Sequence, residues 1–175
     1  MLRTFGRVLA ARPSSHSFCR RPASRTMSQL LKGVEIVKSG GQKVKAEEHL
    51  EGKVVALYFS AGWCPPCRAY TPKLKAFYEK LAAAGKNFEV VFVSRDRAEE
   101  DLEEYYKDHH GKWVYLPYGS PKIQELLQQY EVKTIPTMKV IRPDGSVVVQ
   151  DARTEVATKG EDAVALFEEW QAHYE

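Results

Sequence analysis

Ser60-Ala61-Gly62-Trp63-Cys64-Pro65-Pro66-Cys67-Arg68 stands between an apolar run, Val54-Val55-Ala56-Leu57-Tyr58-Phe59, and a segment of helical periodicity. The run has strand length and no alternation, the pattern of a strand covered on both faces. In the following segment Tyr70, Leu74, Phe77 and Leu81 recur at spacings of four, three and four, and Gly85 acts as a stop. Two cysteines two residues apart, at the junction of such a strand and helix, form a dithiol placed to open and close as a disulfide. The helix dipole favours thiolate at Cys64, while Cys67, one turn on, can attack a mixed disulfide formed there. Cys64 is therefore assigned as nucleophile and Cys67 as resolving thiol. Pro65 and Pro66 lack a backbone N–H, so the Cys67 amide and thiol are the near donors to the Cys64 sulfur. The Cys64 pKa is accordingly expected to fall only moderately below the free value of about 8.5. Pro72, inside the same helix, predicts a kink.

Working outward, Phe88-Glu89-Val90-Val91-Phe92-Val93 reads as a second buried strand ending at Ser94-Arg95-Asp96. A helix over Glu99 to His109 follows, with Leu102, Tyr105, Tyr106 and His109 on one face, which completes a βαβ unit. Ser120-Pro121 signals a capped start for a further helix bearing Ile123, Leu126, Leu127 and Tyr130. Thr134-Ile135-Pro136-Thr137 leads into Met138-Lys139-Val140-Ile141, Pro143-Asp144-Gly145 turns the chain, and Val147-Val148-Val149 returns antiparallel. A last helix from Glu161 presents Val164, Phe167, Trp170 and Tyr174. Upstream, Gly40-Gly41 between Gly33 to Val37 and Lys43 to Ala46 reads as a β-hairpin, an N-terminal embellishment. The order hairpin, strand, helix, strand, helix, helix, strand, strand, helix predicts an α/β domain. Its central mixed β-sheet is flanked by helices on both faces. Trp63 can cover one side of the dithiol and give a substrate an apolar contact. Pro136, after Ile135, can hold a cis bond and present the Ile135 backbone to an extended substrate.

Trp63-Cys64-Pro65-Pro66-Cys67-Arg68, with Pro72 five residues beyond and Ile135-Pro136-Thr137 ahead of antiparallel strands, resembles the thioredoxin superfamily. The paired prolines, the stretch Phe88 to Asp96, and Trp113-Val114-Tyr115-Leu116-Pro117-Tyr118 resemble its tryparedoxin and nucleoredoxin-like branch. The likeness runs from about Gly33 to the last helix. It implies a thioredoxin fold, a cis bond before Pro136, and a disulfide oxidoreductase passing electrons to peroxidases or other protein disulfides. It implies no metal or organic cofactor; electrons come from an upstream reductase or a low-molecular-weight thiol. The other reading it offers is a redox-gated binding module with little turnover. Typical thioredoxins carry a buried aspartate six residues ahead of the nucleophile. Here Tyr58 stands there, which fits the tryparedoxin-like branch and leaves the acceptor for the Cys67 proton unassigned. The run His109-His110-Gly111-Lys112 is more polar than that branch leads one to expect.

Six arginines (Arg3, Arg7, Arg12, Arg20, Arg21, Arg25) precede Met27 and the first acidic residue is Glu35, so the net charge of +3 becomes −3 without that segment. Residues 1–26 are rich in Arg and Ser and lack Asp and Glu, a composition that reads as a mitochondrial transit peptide or a disordered basic tail. Initiation at Met27 would remove it and leave a cytoplasmic protein, with residues 28–175 as the thioredoxin-like domain. A chain of 175 residues with only Cys19, Cys64 and Cys67 is not a disulfide-built secreted scaffold. No basic patch interleaved with aromatics argues for nucleic acid, no apolar run has membrane-spanning length, and a monomer is expected. A metal reading of the dithiol lacks partners, because His49, His109, His110 and His173 show no ligand spacing. Arg68 tunes the thiolate or is simply solvated, and Asp96 is a substitute proton acceptor or a loop carboxylate. Trp113, Tyr118, Tyr105 and Tyr106 read as core cover, and His109-His110 as a solvated helix end.

Overall fold

The computed structural model describes residues 29–174. The basic leader, with Cys19 and Met27, lies outside the described residues. The elements in chain order are β1 (Glu35–Val37), β2 (Lys43–Lys45), α1 (Ala46–His49), β3 (Val54–Ser60), α2 (Pro65–Ala83), β4 (Phe88–Ser94) and α3 (Glu99–His109). They continue with β5 (Val114–Tyr115), α4 (Pro121–Gln129), β6 (Thr137–Ile141), β7 (Val147–Val149), α5 (Ala152–Lys159) and α6 (Ala163–Ala172).

The unalternating apolar runs take the centre of the sheet, since every residue of β3 and β4 is buried. The strands lie in the order β2-β1-β5-β4-β3-β6-β7, with β3, β4 and β5 parallel and the remaining pairs antiparallel. Successive side chains of a strand point to opposite faces. Ala56, Tyr58, Val90 and Phe92 accordingly pack against Leu74 and Phe77 of α2 and Phe167 and Trp170 of α6. Leu57, Phe59, Val91 and Val93 pack on the other face against Leu31, Leu50 and Leu126. Each such large side chain contributes roughly 1.5–3 kcal/mol by leaving water. The helices therefore hold the sheet from both sides, as the sequence pattern requires.

Several local readings change. The hairpin is no appendage: β1 also pairs with β5 at Val37↔Tyr115 and so extends the main sheet. β5 itself escapes the sequence pattern because two residues are too short for periodicity to register. The sequence pattern also leaves out α1 and α5, although α5 carries a cap signal, with Asp151 Oδ1 accepting the Thr154 N–H at 3.2 Å. α2 runs on through Pro72 as one element and stops at Gly85, whose φ of +68° lets Lys86 N–H reach Leu81 O at 3.0 Å. Pro121 opens α4 as expected, but the Ser120 side chain makes no cap. The last helix starts at Ala163 rather than Glu161, capped by Asp162 Oδ1, which accepts the Ala165 N–H at 3.2 Å.

This topology positions the site. β3 and β4 are parallel with Ser60 opposite Ser94, so both chains leave the sheet at the same edge. β6 enters antiparallel at that edge, with Phe59 opposite Thr137. The dithiol, the 95–97 turn and Ile135-Pro136 are thereby brought together from three separate parts of the sequence. No helix among the described residues is long and apolar enough to cross a membrane.

Candidate active site

Cys64 is the N-cap of α2, and its Sγ accepts the Cys67 N–H at 3.4 Å. Pro65 and Pro66 have no N–H, which leaves this amide as the near donor in the first turn. Cys64 and Cys67 are joined as a disulfide with Cα atoms 5.2 Å apart. Cys67 is fully buried, whereas Cys64 keeps 5% of its surface exposed. An incoming group therefore meets the Cys64 sulfur first. The Ile135–Pro136 bond is cis, and the Ile135 carbonyl oxygen lies 3.8 Å from Cys64 Sγ while its side chain packs on Ala61 and the cysteines.

Trp63 is 53% exposed, with Nε1 donating to the Arg95 carbonyl at 3.1 Å. Asp96 belongs to the loop: its Oδ1 accepts the Gly62 N–H at 2.8 Å and its Oδ2 accepts the Ser94 hydroxyl at 2.6 Å. A side chain at Gly62 would put Cβ 3.0 Å from Tyr105 Cβ, so only glycine lets the Cys64 approach pass this close to α3. Arg68 is exposed and lines a cavity of about 260 Å³ with Trp63, Asp101, Glu104, Tyr105 and Asp108. Pro65 and Pro66 are exposed, and Pro66 lines a second cavity of about 460 Å³ beside Ile135, Pro136, Thr137, Lys139 and Arg153. Lys139 and Arg153 had no local motif to mark them in the sequence.

Tyr58 stands beneath the dithiol in a network of hydroxyls. The Thr71 hydroxyl donates to the Cys67 carbonyl at 2.8 Å, and Thr71 Oγ1 lies 2.9 Å from the Tyr58 hydroxyl and 2.7 Å from that of Tyr105. Ser60 Oγ completes it at 2.9 Å from Tyr105. A carbonyl can only accept, so the single Thr71 proton points at Cys67 O, and both tyrosines must donate to Thr71. Tyr105 then accepts from Ser60. Every proton in the network runs toward the Cys67 carbonyl. Burial holds the Tyr58 and Tyr105 hydroxyls above the usual phenol range, so both stay neutral. Tyr58 thus fixes the first turn of α2 and offers no base in the aspartate's place. Thr71, Ser60 and the hydrogen bonding of the Tyr105 hydroxyl escaped sequence reasoning, although Thr71 stands at the i+4 position from Cys67.

His110 is the clearest correction. It is not a solvated helix end: it is buried, its ring centroid 4.2 Å from that of Phe92 and 4.5 Å from that of Tyr105. Its Nδ1 accepts from Trp113 Nε1 at 3.1 Å, which places the neutral ring's proton on Nε2. Burial pushes its pKa down to about 3. Trp113 is core as predicted, and Tyr105 is buried with Tyr106 half-buried. Tyr118 is instead 42% exposed, its hydroxyl donating to the Arg97 carbonyl at 2.7 Å. Among the described residues, no group of three or more His, Cys, Asp or Glu side chains is placed to hold a metal ion.

Residues 52–147 match a family model described as thioredoxin-like, a span that holds β3, the dithiol, the Asp96 turn and the cis proline. The chain belongs to the thioredoxin-like family. Among its relatives is tryparedoxin of Trypanosoma brucei brucei, 48% identical over 111 residues, covering 61% of this chain and 74% of that protein. A probable nucleoredoxin 1 of Arabidopsis thaliana is 40% identical over 129 residues. That match covers 74% of this thioredoxin-like chain but 22% of the plant protein, so the chain spans under a quarter of that relative's length. The crystal structure of a thioredoxin from Wuchereria bancrofti superposes with a TM-score of 0.71 at 43% identity, covering 82% of this chain and 98% of that one. The thioredoxin fold, the tryparedoxin and nucleoredoxin kinship, and the N-terminal hairpin all agree with the sequence reading.

Proposed function

We propose that this chain is a protein-disulfide reductase acting through Cys64 and Cys67. The observation that carries the reading is the unequal placement of the two cysteines, Cys64 at the helix N-cap keeping a small exposed surface and Cys67 fully buried one turn behind it. In the reduced protein the Cys64 thiolate attacks a substrate disulfide, forming a mixed disulfide and expelling the first substrate thiolate. Cys67, losing its proton, attacks Cys64 Sγ, expels the second substrate thiolate and leaves the Cys64–Cys67 disulfide. Two electrons pass from dithiol to substrate. Trp63 and the Ile135-Pro136 backbone flank the sulfur, which suits an extended segment laid beside the dithiol. An upstream reductase or low-molecular-weight thiol then restores the dithiol, and the protein works as a monomer, without a cofactor, on protein disulfides such as that of a peroxidase. The acid-free leader supports a mitochondrial location, and translation from Met27 a cytoplasmic one.

Reduction of insulin with dithiothreitol as electron supply tests the enzyme reading. The account expects many turnovers per protein molecule and none with Cys64→Ser. A protein that exchanges once and stops, under any thiol supply, is a redox-gated binding module instead.

A further inference from the structure

Among the described residues, the large apolar side chains that stay exposed are Trp63, at 53%, and Tyr118, at 42%. They come from segments 55 residues apart in sequence, yet both are tied to one turn. Trp63 Nε1 donates to Arg95 O at 3.1 Å, and the Tyr118 hydroxyl donates to Arg97 O at 2.7 Å. The polar atom of each ring is thereby used inward while much of each ring stays exposed. That turn is itself fastened to the dithiol approach by Asp96, which accepts the Gly62 N–H at 2.8 Å. The Arg97 guanidinium rests 5.5 Å from the centroid of a Trp63 ring. No carboxylate among the described residues pairs with it, although Asp101 and Glu104 line the neighbouring cavity wall. Exposed aromatics held rigid lose little entropy on contact, and Trp, Tyr and Arg are the residues that dominate protein interfaces. A guanidinium resting on an indole keeps its fork of N–H donors free for a planar carboxylate.

We infer that Trp63, Arg97 and Tyr118 form a docking surface for protein disulfide substrates that carry an Asp or Glu side chain next to the reacting cysteine. The inference rests on the reductase reading and adds the substrate class to it. Arg97 takes the substrate carboxylate, the two rings cover the flanking chain, and the disulfide is thereby set down on Cys64.

Two synthetic peptides test it, each closed by one disulfide and alike except for Glu or Gln beside the first cysteine. The rate at which the reduced protein reduces each is divided by the rate with dithiothreitol on the same peptide, which removes intrinsic reactivity. The wild type is expected to favour the Glu peptide by about tenfold at low salt, and the preference to shrink in high salt. Arg97→Gln should bring the ratio close to one, and Arg97→Lys, which keeps the charge but not the fork, should retain part of it. A ratio near one in the wild type, or an unchanged ratio in Arg97→Gln, overturns the docking surface while leaving the reductase intact. Reduction of neither peptide overturns the reductase reading and the surface with it.

Discussion

In the proposed reaction the residue that acts first is Cys64, and what surrounds its sulfur limits how acidic its thiol becomes. With Pro65 and Pro66 in the first turn, the Cys64 sulfur accepts from the Cys67 N–H at 3.4 Å and sits at the N-terminal end of the helix. Titrating thiolate absorbance in Cys67→Ser should give a Cys64 pKa moderately below about 8.5, and a value near 3.5, as in strongly oxidising dithiols, would refute this account of the sulfur. Tyr58 and Tyr70 make a matched pair at the same scale. The Tyr58 hydroxyl is bonded to Thr71, whereas the buried Tyr70 hydroxyl has no hydrogen-bond partner among the described residues. Removing a satisfied buried hydroxyl costs about 1 kcal/mol, and removing an unsatisfied one costs nothing or stabilises. Urea denaturation should therefore show Tyr58→Phe losing about that much and Tyr70→Phe holding or gaining; the reverse order would contradict the hydroxyl network.

At the scale of elements, the end of α3 gives the protein a built-in acid sensitivity. His110 is neutral in the fold, with a pKa of about 3 against 6.5 when free, because burial among Phe92, Tyr105 and Tyr58, with His109 adjacent, penalises its charge. The unfolded chain then binds the proton that the folded chain refuses. Its contribution to stability is complete above about 6.5 and is lost as pH falls from there toward about 3, at a slope of at most about 1.4 kcal/mol per pH unit. His110→Gln keeps an acceptor for Trp113 Nε1 and should flatten that acid limb in denaturant titrations; an unchanged limb would show that other groups carry it. This element also shows why sequence reading fell short. A His-His-Gly-Lys run is polar by composition, but the position of β5 and the Trp113 indole turn the second histidine inward, and neither is encoded in a local pattern. The buried strands β3 and β4, the periodic face of α2 and its Gly85 stop were legible because each is a local signal. The two-residue β5 and the four-residue α1 were not, since periodicity needs more turns or alternations than they contain.

For the whole molecule, the sheet order makes the site. β3 and β4 end at one edge, β6 begins there, and the cis Ile135–Pro136 bond arrives beside a dithiol more than sixty residues earlier in the chain. Cys64, Cys67, Trp63 and Pro136 were readable because motif and family resemblance mark them. Thr71, Tyr105, Arg97 and Tyr118 were not, because only the packed fold brings α3 and the β5–α4 connection to the dithiol edge. Charge follows the same division: the excess of arginine belongs to residues 1–26, and the domain that follows is net acidic. In the proposed reaction exchange is confined to this one edge, with Cys64 as the point of entry. The most direct measurement is intact-mass analysis of Cys67→Ser and Cys64→Ser, each reduced and then mixed with a protein disulfide such as insulin. With Cys19 also replaced by serine in both variants, the account predicts one covalent adduct per molecule on Cys64 in Cys67→Ser and none in Cys64→Ser, whereas equal adducts in both, or none in either, would contradict it.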